Sequence, residues 1–165
     1  MSLIREIQDK IFQSSCQTLV NPVNCAGFMG KGLAFEFKNR FPEMYDEYAR
    51  HCAEKRIQPG FLHLWKKSKP WILNFPTKNH WKYSSKIEYI EQGMAKFSAT
   101  YVAKGITSIA FPELGTSLGR LQWNTVKELI YRFLEPLLNL EVKIYYFIGT
   151  LFSQATGSNT PKNHP

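Results

Sequence analysis

The residues best suited to chemistry lie in a glycine-rich segment near the N-terminus, NPVNCAGFMGKGLA at residues 21–34. A β-prone run stops at Asn21-Pro22, three glycines follow within six residues, and a helical pattern begins at Leu33. The three glycines are Gly27, Gly30 and Gly32. Glycines let backbone N–H groups approach an oxygen-rich ligand, and a helix N-terminus favours negative charge. The segment therefore predicts a site for a phosphate or pyrophosphate.

Neither common nucleotide motif fits this segment. A P-loop needs a glycine five positions before Gly30, where Cys25 stands, and a serine or threonine after Lys31, where Gly32 stands. The dinucleotide fingerprint fails because Phe35 stands where its third glycine belongs. The segment is therefore an anion loop of neither type, and a tight strand-to-helix turn without a ligand stays open as the alternative.

The positive charge of the chain is concentrated in one segment. Of 21 basic residues, eight lie between Lys55 and Ile87, a stretch without any acidic residue, and the other 13 are balanced by 13 acidic residues. The same segment contains Trp65, Trp71, Phe75, Trp81 and Tyr83. Clustered lysines with interleaved aromatic residues suit a polyanion with exposed bases, whereas the alternative is an ordinary basic surface.

Composition excludes several classes of protein. A chain of 165 residues suggests one domain, no apolar run approaches the length of a membrane span, and the N-terminus lacks an apolar signal region. Three cysteines without a C-x-x-C pair support neither a disulfide framework nor a zinc knuckle. The four histidines show no ligand spacing, so we expect no metal and no cofactor. A reducing cytoplasm is the expected location.

The elements that must position these residues alternate between strands and helices. Predicted strands cover residues 3–7, 18–20, 61–65, 71–75, 106–111 and 142–148. Predicted helices follow Leu33, divide at Pro42, run from a Ser85/Glu88 capping box to Gly105, and run from Trp123 to Pro136. This alternation predicts an α/β domain with a largely parallel or mixed sheet, over residues 1–152, followed by a disordered tail at 153–165. The loops 21–32, 76–85 and 112–120 should converge on one cleft, because ligands bind at the carboxyl ends of such strands.

Three motifs together resemble a known family. Residues 21–34 are similar to the first ADP-ribose-binding loop of macrodomains, in particular of the DNA ADP-ribosyl glycohydrolase antitoxins. Residues 71–81, WILNFPTKNHW, resemble the motif that carries the catalytic lysine in that group. Residues 112–123, PELGTSLGRLQW, resemble the second phosphate loop and the helix after it. The order and spacing of all three motifs agree with the family over residues 1–150.

The resemblance implies a three-layer α/β/α sandwich with a central mixed β-sheet and ADP-ribose as ligand or product. It places Asp9 at the adenine, although a helix N-cap is an equally compatible role for this residue. The first loop would bind through Cys25, Ala26, Gly27, Met29, Gly30, Lys31, Gly32 and Ala34. Thr77 and the second loop would complete the site, the latter through Leu114, Gly115, Thr116, Ser117, Leu118 and Gly119. Backbone N–H groups of residues 26–32 and 114–119 would clamp the two phosphates, with hydroxyl donors added by the second loop.

The resemblance also implies two catalytic residues, Asn24 and Lys78. Asn24 would be aimed into the cleft and contact the distal ribose. The alternative roles are a turn for Asn24 and a surface lysine for Lys78. Glycosidases ordinarily use two carboxylates, but Glu113 is the only acid in the three loops. Lys78 would therefore act either as a neutral nucleophile that forms a Schiff-base-type intermediate or as an ammonium that protonates or stabilises the departing base.

The expected substrate is ADP-ribosylated DNA, in single-stranded form. Gly119 stands where a related protein-directed hydrolase has an aspartate, which disfavours hydrolysis of ADP-ribosylated protein. Candidate DNA contacts are Lys66, Lys67, Lys69, His80, Trp81 and Lys82. A cognate ADP-ribosyltransferase toxin is the expected partner of an antitoxin, and the protein is expected to be a monomer without membrane association. A reader that binds ADP-ribose without cleavage and a protein-directed hydrolase stay open as alternatives.

Overall fold

A mixed six-stranded sheet forms the centre of the protein, as the computed structural model describes it for residues 1–116 and 118–146. The strands are β1 (Leu3–Gln8), β2 (Thr18–Asn24), β3 (His63–Trp65), β4 (Trp71–Lys78), β5 (Ser108–Phe111) and β6 (Glu141–Tyr146). Their order is β1-β6-β5-β2-β4-β3. Only β3 runs antiparallel to its neighbour among these strands. The expected α/β class and mixed sheet are confirmed.

Helices cover both faces of the sheet, because side chains alternate along each strand. The helices are α1 (Gly32–Arg40), α2 (Pro42–Ala53), α3 (Ile87–Thr100) and α4 (Trp123–Leu134). Leu19, Ile72 and Ala110 pack in the core under α1 and α2. Their strand neighbours pack in a second core under α3 and α4, and these include Val20, Leu73, Ile109 and Phe111. The result is the expected three-layer α/β/α arrangement.

The two strands that lead to the glycine-rich cleft are longer than the sequence predicts, since both continue through a proline. Beyond Leu19, β2 pairs only with β4, and beyond Asn74, β4 pairs only with β2. A proline is tolerated where its missing N–H faces an unpaired side of the strand. Pro22 and Pro76 therefore lie inside the ladder, opposite Phe75 and Val23.

Other boundaries differ by a few residues. The break at Pro42 is confirmed, whereas α3 ends at Thr100 and a turn carries the chain to Gly105, whose φ is +75°. β3 begins at His63 and β5 at Ser108, later than expected. The predicted end of the last strand, the domain boundary at 152 and the tail lie outside the described residues. Within the described residues, no helix is long and apolar enough to span a membrane.

Three loops meet at one edge of the sheet, as expected, because β5, β2 and β4 are parallel neighbours. We name the segment after β2 loop A (residues 25–31), the segment after β4 loop B (79–86) and the segment after β5 loop C (112–122). Loop A contacts loop B where the Cys25 N–H donates to the Asn79 carbonyl at 3.0 Å. Loop B contacts loop C where the Ser85 N–H donates to the Gly119 carbonyl at 2.9 Å.

Candidate active site

A β-bulge aligns the two residues expected to be catalytic. The β2–β4 register pairs Val23 with Pro76 and then Asn24 with Lys78, so one residue of β4 is skipped. Without this shift, Asn24 would lie beside Thr77 instead. Bulges of this kind re-aim side chains and occur often beside active sites. The structure therefore brings Asn24 and Lys78 together at the carboxyl edge of the sheet.

Lys78 lies in a half-buried position at the end of β4. Burial lowers the pKa of its ammonium below the ordinary 10.5, and the nearby Arg120 guanidinium lowers it further. Within residues 1–116 and 118–146, no salt bridge involves Lys78. A lysine with a lowered pKa and no carboxylate at ion-pair distance is suited to act as an amine.

Asn24 is turned into loop A rather than into the cleft, which corrects its expected orientation. Its Oδ1 accepts the Ala26 N–H at 2.9 Å and the Tyr48 hydroxyl at 3.1 Å. Its Nδ2 donates to the Phe28 carbonyl at 2.7 Å. Only 6% of Asn24 is exposed. In this conformation the amide braces the loop, which is the turn role that the sequence left open.

Loop A offers fewer backbone donors than expected. The N–H groups of Cys25 and Ala26 are used by Asn79 and Asn24, so these two are not available to a ligand. Met29 is buried in the core, so its side chain anchors the loop. Burial, with the neighbouring Cys52, raises the pKa of the Cys25 thiol to about 12, which makes it a poor nucleophile.

The part of loop A that remains suited to an anion is its second half. Gly30 and Lys31 are exposed, and α1 begins at Gly32 without a side-chain cap from Lys31. The N–H groups of the first helical turn, which includes Ala34, are therefore left for solvent or a ligand. A Cβ at Gly30 would have no heavy atom within 4 Å. This open space beside a helix N-terminus is suited to an anionic group.

Loop C approaches loop A from the other side of the cleft. Leu118 is exposed and its Cδ1 lies 3.3 Å from the place of a Cβ on Gly32. Leu114 is fully buried and anchors the loop. The Thr116 hydroxyl donates to the Glu113 carbonyl at 3.1 Å, so it is turned away from the role of phosphate donor that the sequence suggested. Ser117, the other expected donor, lies outside the described residues.

Two glycines let loop C pack against loop B. Gly115 has a φ of +70°, and a Cβ there would lie 3.1 Å from Ser85 Cβ of loop B. A Cβ at Gly119 would collide with the Ser85 hydroxyl and the Gly115 carbonyl oxygen. Ser85 donates its hydroxyl to Thr77 Oγ1 at 3.1 Å. The predicted capping box is wrong, because α3 is preceded by Lys86 and Ser85 joins the loops instead.

Asp9 lies exposed just past β1, at the same edge of the sheet as the three loops. Three strand spacings separate β1 from β2, about 14 Å in all. Asp9 Oδ1 accepts the Lys10 N–H at 2.7 Å, but the short 3-10 turn at Ile11–Gln13 is preceded by Lys10. The N-cap role is therefore wrong, whereas contact with the adenine stays a prediction.

The structure divides the expected DNA contacts into two groups. His80, Trp81 and Lys82 lie in loop B beside the cleft, whereas Lys66, Lys67 and Lys69 precede β4 at the opposite end of the sheet. Eight residues of β4 place these ends about 23 Å apart. Lys66 donates to the Lys104 carbonyl at 2.7 Å and Lys67 pairs with Glu47 at 3.3 Å. The basic segment therefore does not form a single surface at the cleft.

Phe28 is a residue of the cleft that the sequence analysis missed. Its ring is 54% exposed and contacts Trp81 of loop B, with ring centroids 6.4 Å apart. A large aromatic residue between Gly27 and Met29 of an anion loop was the available signal.

Three side chains with metal-ligand atoms come together away from the cleft. Potential ligand atoms of Glu47, His51 and His63 lie within 4.8 Å of one another, although the histidines show no such spacing in the sequence. His63 Nε2 lies 3.0 Å from Glu47 Oε1, and burial lowers the pKa of the His63 imidazole. Because Lys67 also pairs with Glu47, the group forms a hydrogen-bonded network at the sheet edge.

The chain is a three-layer α/β/α domain in which a glycine-rich loop lies beside a lysine at the carboxyl edge of the sheet. The Macro domain family model matches residues 20–130. This chain belongs to the Macro domain family.

A protein and a solved structure from Thermus aquaticus are similar to this chain. A Thermus aquaticus DNA ADP-ribosyl glycohydrolase is 36% identical over 147 residues, covering 87% of this chain and 41% of the relative. The solved macrodomain of Thermus aquaticus DarG has a TM-score of 0.84 at 35% identity, covering 88% of this chain and 99% of that one.

A Thermosipho africanus DNA ADP-ribosyl transferase–DNA ADP-ribosyl glycohydrolase fusion protein is 36% identical over 158 residues, covering 84% of this chain and 40% of the relative. The solved Thermosipho africanus DarTG in complex with ADP-ribose has a TM-score of 0.83 at 34% identity, covering 96% of this chain and 43% of that one. The chain thus spans about 40% of the length of these curated relatives.

Proposed function

We propose that this protein removes ADP-ribose from DNA by hydrolysing the glycosidic bond between the distal ribose and a nucleobase. The observation that carries the proposal is the bulge that sets Asn24 opposite Lys78, beside a glycine-rich anion loop. The names of the relatives support the reaction and the DNA substrate.

Lys78 is the reactive group in this proposal, with two routes open to it. In the first, its neutral amine attacks the anomeric carbon of the opened ribose, the base leaves, and water hydrolyses the iminium to release ADP-ribose. In the second, the ammonium protonates or stabilises the departing base while water attacks the anomeric carbon. Burial and Arg120 lower the pKa of Lys78, which favours the neutral amine. Asn24 holds loop A in shape for the phosphates.

Water is the only co-reactant in the proposed reaction, and we infer no metal or other cofactor. A DNA ADP-ribosyltransferase is the proposed partner, since one relative is named as a fusion of the two activities. Three free cysteines are compatible with the cytoplasm, which is the location we propose for a monomeric protein.

The test is a panel of two substrates and three proteins. ADP-ribosylated single-stranded DNA and ADP-ribosylated protein are each incubated with the wild type, with Lys78→Ala and with Lys69→Ala. Lys69 is an exposed lysine of the same basic segment at the far end of β4, which makes it a matched control. We expect release of ADP-ribose from DNA by the wild type and Lys69→Ala, and a loss of at least about a hundredfold in Lys78→Ala.

The alternatives predict different results from the same panel. Tight binding of ADP-ribose without turnover of either substrate would make the protein a reader. Turnover of the protein substrate alone would make it a protein-directed hydrolase. Borohydride added during turnover traps an adduct on Lys78 in the nucleophilic route, and no adduct forms in the electrostatic route.

A further inference from the structure

Four aromatic rings form a continuous row along loops A and B, and all but the half-buried His80 are exposed. The ring centroids are 6.4 Å apart from Phe28 to Trp81, 5.3 Å from Trp81 to His80 and 5.7 Å from His80 to Tyr83. Phe28 is 54% exposed, Trp81 50% and Tyr83 66%. We call this row the aromatic strip. Clustered exposed rings of this size mark a binding surface, since isolated apolar side chains are the ordinary case.

The aromatic strip begins beside the bulge that pairs Asn24 with Lys78. The Phe28 carbonyl accepts the hydrogen bond of Asn24 Nδ2 at 2.7 Å, and Asn24 is the register partner of Lys78. At the other end, Tyr83 lines a cavity of about 440 Å³ on loop B and the start of α3. The cavity is also lined by Asn79, Ser84, Ser85, Lys86 and Tyr89. The aromatic strip and the cavity therefore both adjoin the end of β4 that carries Lys78.

The charges along this path are positive. Lys82 Nζ lies 5.3 Å from the centre of the Trp81 ring, and Lys86 Nζ lies 5.5 Å from the centre of the Tyr89 ring. Loop B contains no acidic residue. Rings that alternate with lysines suit a single strand of nucleic acid, whose bases stack on the rings while its phosphates lie near the ammonium groups. A duplex is a poor fit, because its bases are already stacked on one another.

We propose that the aromatic strip and the adjoining cavity hold unpaired nucleobases that neighbour the modified nucleotide. The enzyme then selects single-stranded nucleic acid and uses contacts beyond the ADP-ribosylated base itself. This inference rests on the proposed function, since the strand is held where its ADP-ribose enters the cleft. The cavity takes one nucleotide: its two tyrosine rings offer stacking faces, and Lys86 offers a charge for a phosphate. Asn79 Nδ2 donates to the Tyr89 hydroxyl at 2.8 Å, which leaves the Asn79 side-chain oxygen for a base edge.

The test compares a long substrate with a short one. An ADP-ribosylated single-stranded oligonucleotide of about 10 nucleotides is compared with the ADP-ribosylated mononucleoside of the same base. The variants are Trp81→Ala and Tyr83→Ala, with Trp81→Phe as the conservative replacement. Val102→Ala is the control, because Val102 is 74% exposed and lies past the far end of α3, about 21 Å from loop B.

We expect Trp81→Ala and Tyr83→Ala to lower kcat/KM on the oligonucleotide by about tenfold to a hundredfold each. On the mononucleoside the change should stay below about twofold, since no neighbouring base is present to stack. Trp81→Phe should recover most of the loss, and Val102→Ala should match the wild type. Equal losses on both substrates, or no loss on either, would overturn the proposal.

A failure of the proposed function has a separate signature. In that case the wild type turns over neither substrate, and the aromatic strip is tested by fluorescence anisotropy with an unmodified single strand and its duplex. Tighter binding of the single strand, weakened by Trp81→Ala, supports the strip in the absence of any turnover. If Trp81→Ala leaves strand binding unchanged but weakens binding of a purified DNA ADP-ribosyltransferase, the row is a protein-docking surface and the proposal is wrong.

Discussion

Replacing Asn24 by alanine decides whether this residue braces loop A or contacts the substrate. The replacement removes hydrogen bonds from the Ala26 N–H at 2.9 Å, from the Tyr48 hydroxyl at 3.1 Å and to the Phe28 carbonyl at 2.7 Å. Each is worth about 1 kcal/mol net, and the groups left without a partner in a part-buried site add to the loss. The sum is about 2–4 kcal/mol in the free energy of unfolding, or a fall of about 5–15 °C in Tm for a domain of this size.

The assay combines denaturant unfolding, calorimetric binding of ADP-ribose and turnover of ADP-ribosylated DNA. Because loop A loses its shape, we expect Asn24→Ala to weaken ADP-ribose binding and turnover together. Tyr101→Phe is the matched control, since Tyr101 is also buried and its hydroxyl forms two hydrogen bonds with the Leu138 backbone, in the core under α3 and α4 and away from loop A. It should lose similar stability yet bind ADP-ribose normally.

A second replacement at the same position sharpens the test. Asn24→Asp keeps the acceptor for the Ala26 N–H but sets a carboxylate oxygen against the Phe28 carbonyl, where Nδ2 now donates. It should therefore also destabilise the protein. The reasoning is refuted if both variants unfold like the wild type and bind ADP-ribose normally but lose turnover, because Asn24 would then act on the substrate directly.

Three further predictions concern single groups. Gly30→Ala should leave Tm unchanged, since its Cβ meets no atom within 4 Å, yet weaken ADP-ribose binding by about tenfold or more in calorimetry; unchanged affinity would place the phosphates elsewhere. The pH profile of kcat/KM should show the titration of Lys78 below pH 10.5. In the amine route kcat/KM rises with pH through this transition, and in the ammonium route it falls. A Lys78→Arg variant should not show the transition. Burial lowers the pKa of His63, so at falling pH the unfolded chain binds a proton at this histidine before the folded protein does. The free energy of unfolding should therefore fall as the pH drops below 6.5. His63→Gln should reduce this decline in denaturant titrations. If the free energy of unfolding of His63→Gln depends on pH as strongly as that of the wild type, another group is responsible for the dependence.

The sequence predicts the parts of this protein that depend on local patterns. The alternation of strands and helices follows from hydrophobic period, and the position of loop A follows from glycines between a strand and a helix. Family resemblance adds Lys78, which charge and spacing alone would leave as one of eight basic residues in its segment. These features can be predicted because each is encoded within a short stretch of chain.

Features that arise from pairing between distant segments could not be predicted. The bulge beside Asn24 exists only in the β2–β4 register, and nothing within β2 alone signals it. Lys66 and Lys69 are near loop B in sequence, but β4 carries them to the other end of the sheet. Ser85 satisfies the pattern of a capping box, yet its hydroxyl donates to Thr77 and its N–H donates to the Gly119 carbonyl, so it joins the loops instead.

Gly119 shows how such packing also limits the chemistry of the cleft. The sequence places this glycine where a related protein-directed hydrolase has an acid, which suggests that Gly119→Asp would introduce protein-directed activity. An aspartate does not fit this position, however, because even a Cβ there collides with Ser85 Oγ and with the Gly115 carbonyl oxygen. Removing the hydroxyl would leave the backbone clash in place.

Both Gly119→Asp and Gly119→Ala should therefore separate loop C from loop B and weaken ADP-ribose binding, and Ser85→Gly should rescue neither. Thermal unfolding and calorimetry measure the separation, and release of ADP-ribose from modified protein measures any new activity. Protein-directed turnover by a stable Gly119→Asp variant would show that loop C relaxes around the carboxylate. If no such turnover is found, the packing of loops B and C excludes an acid at position 119, and the mechanism proposed for Lys78 has no acid there.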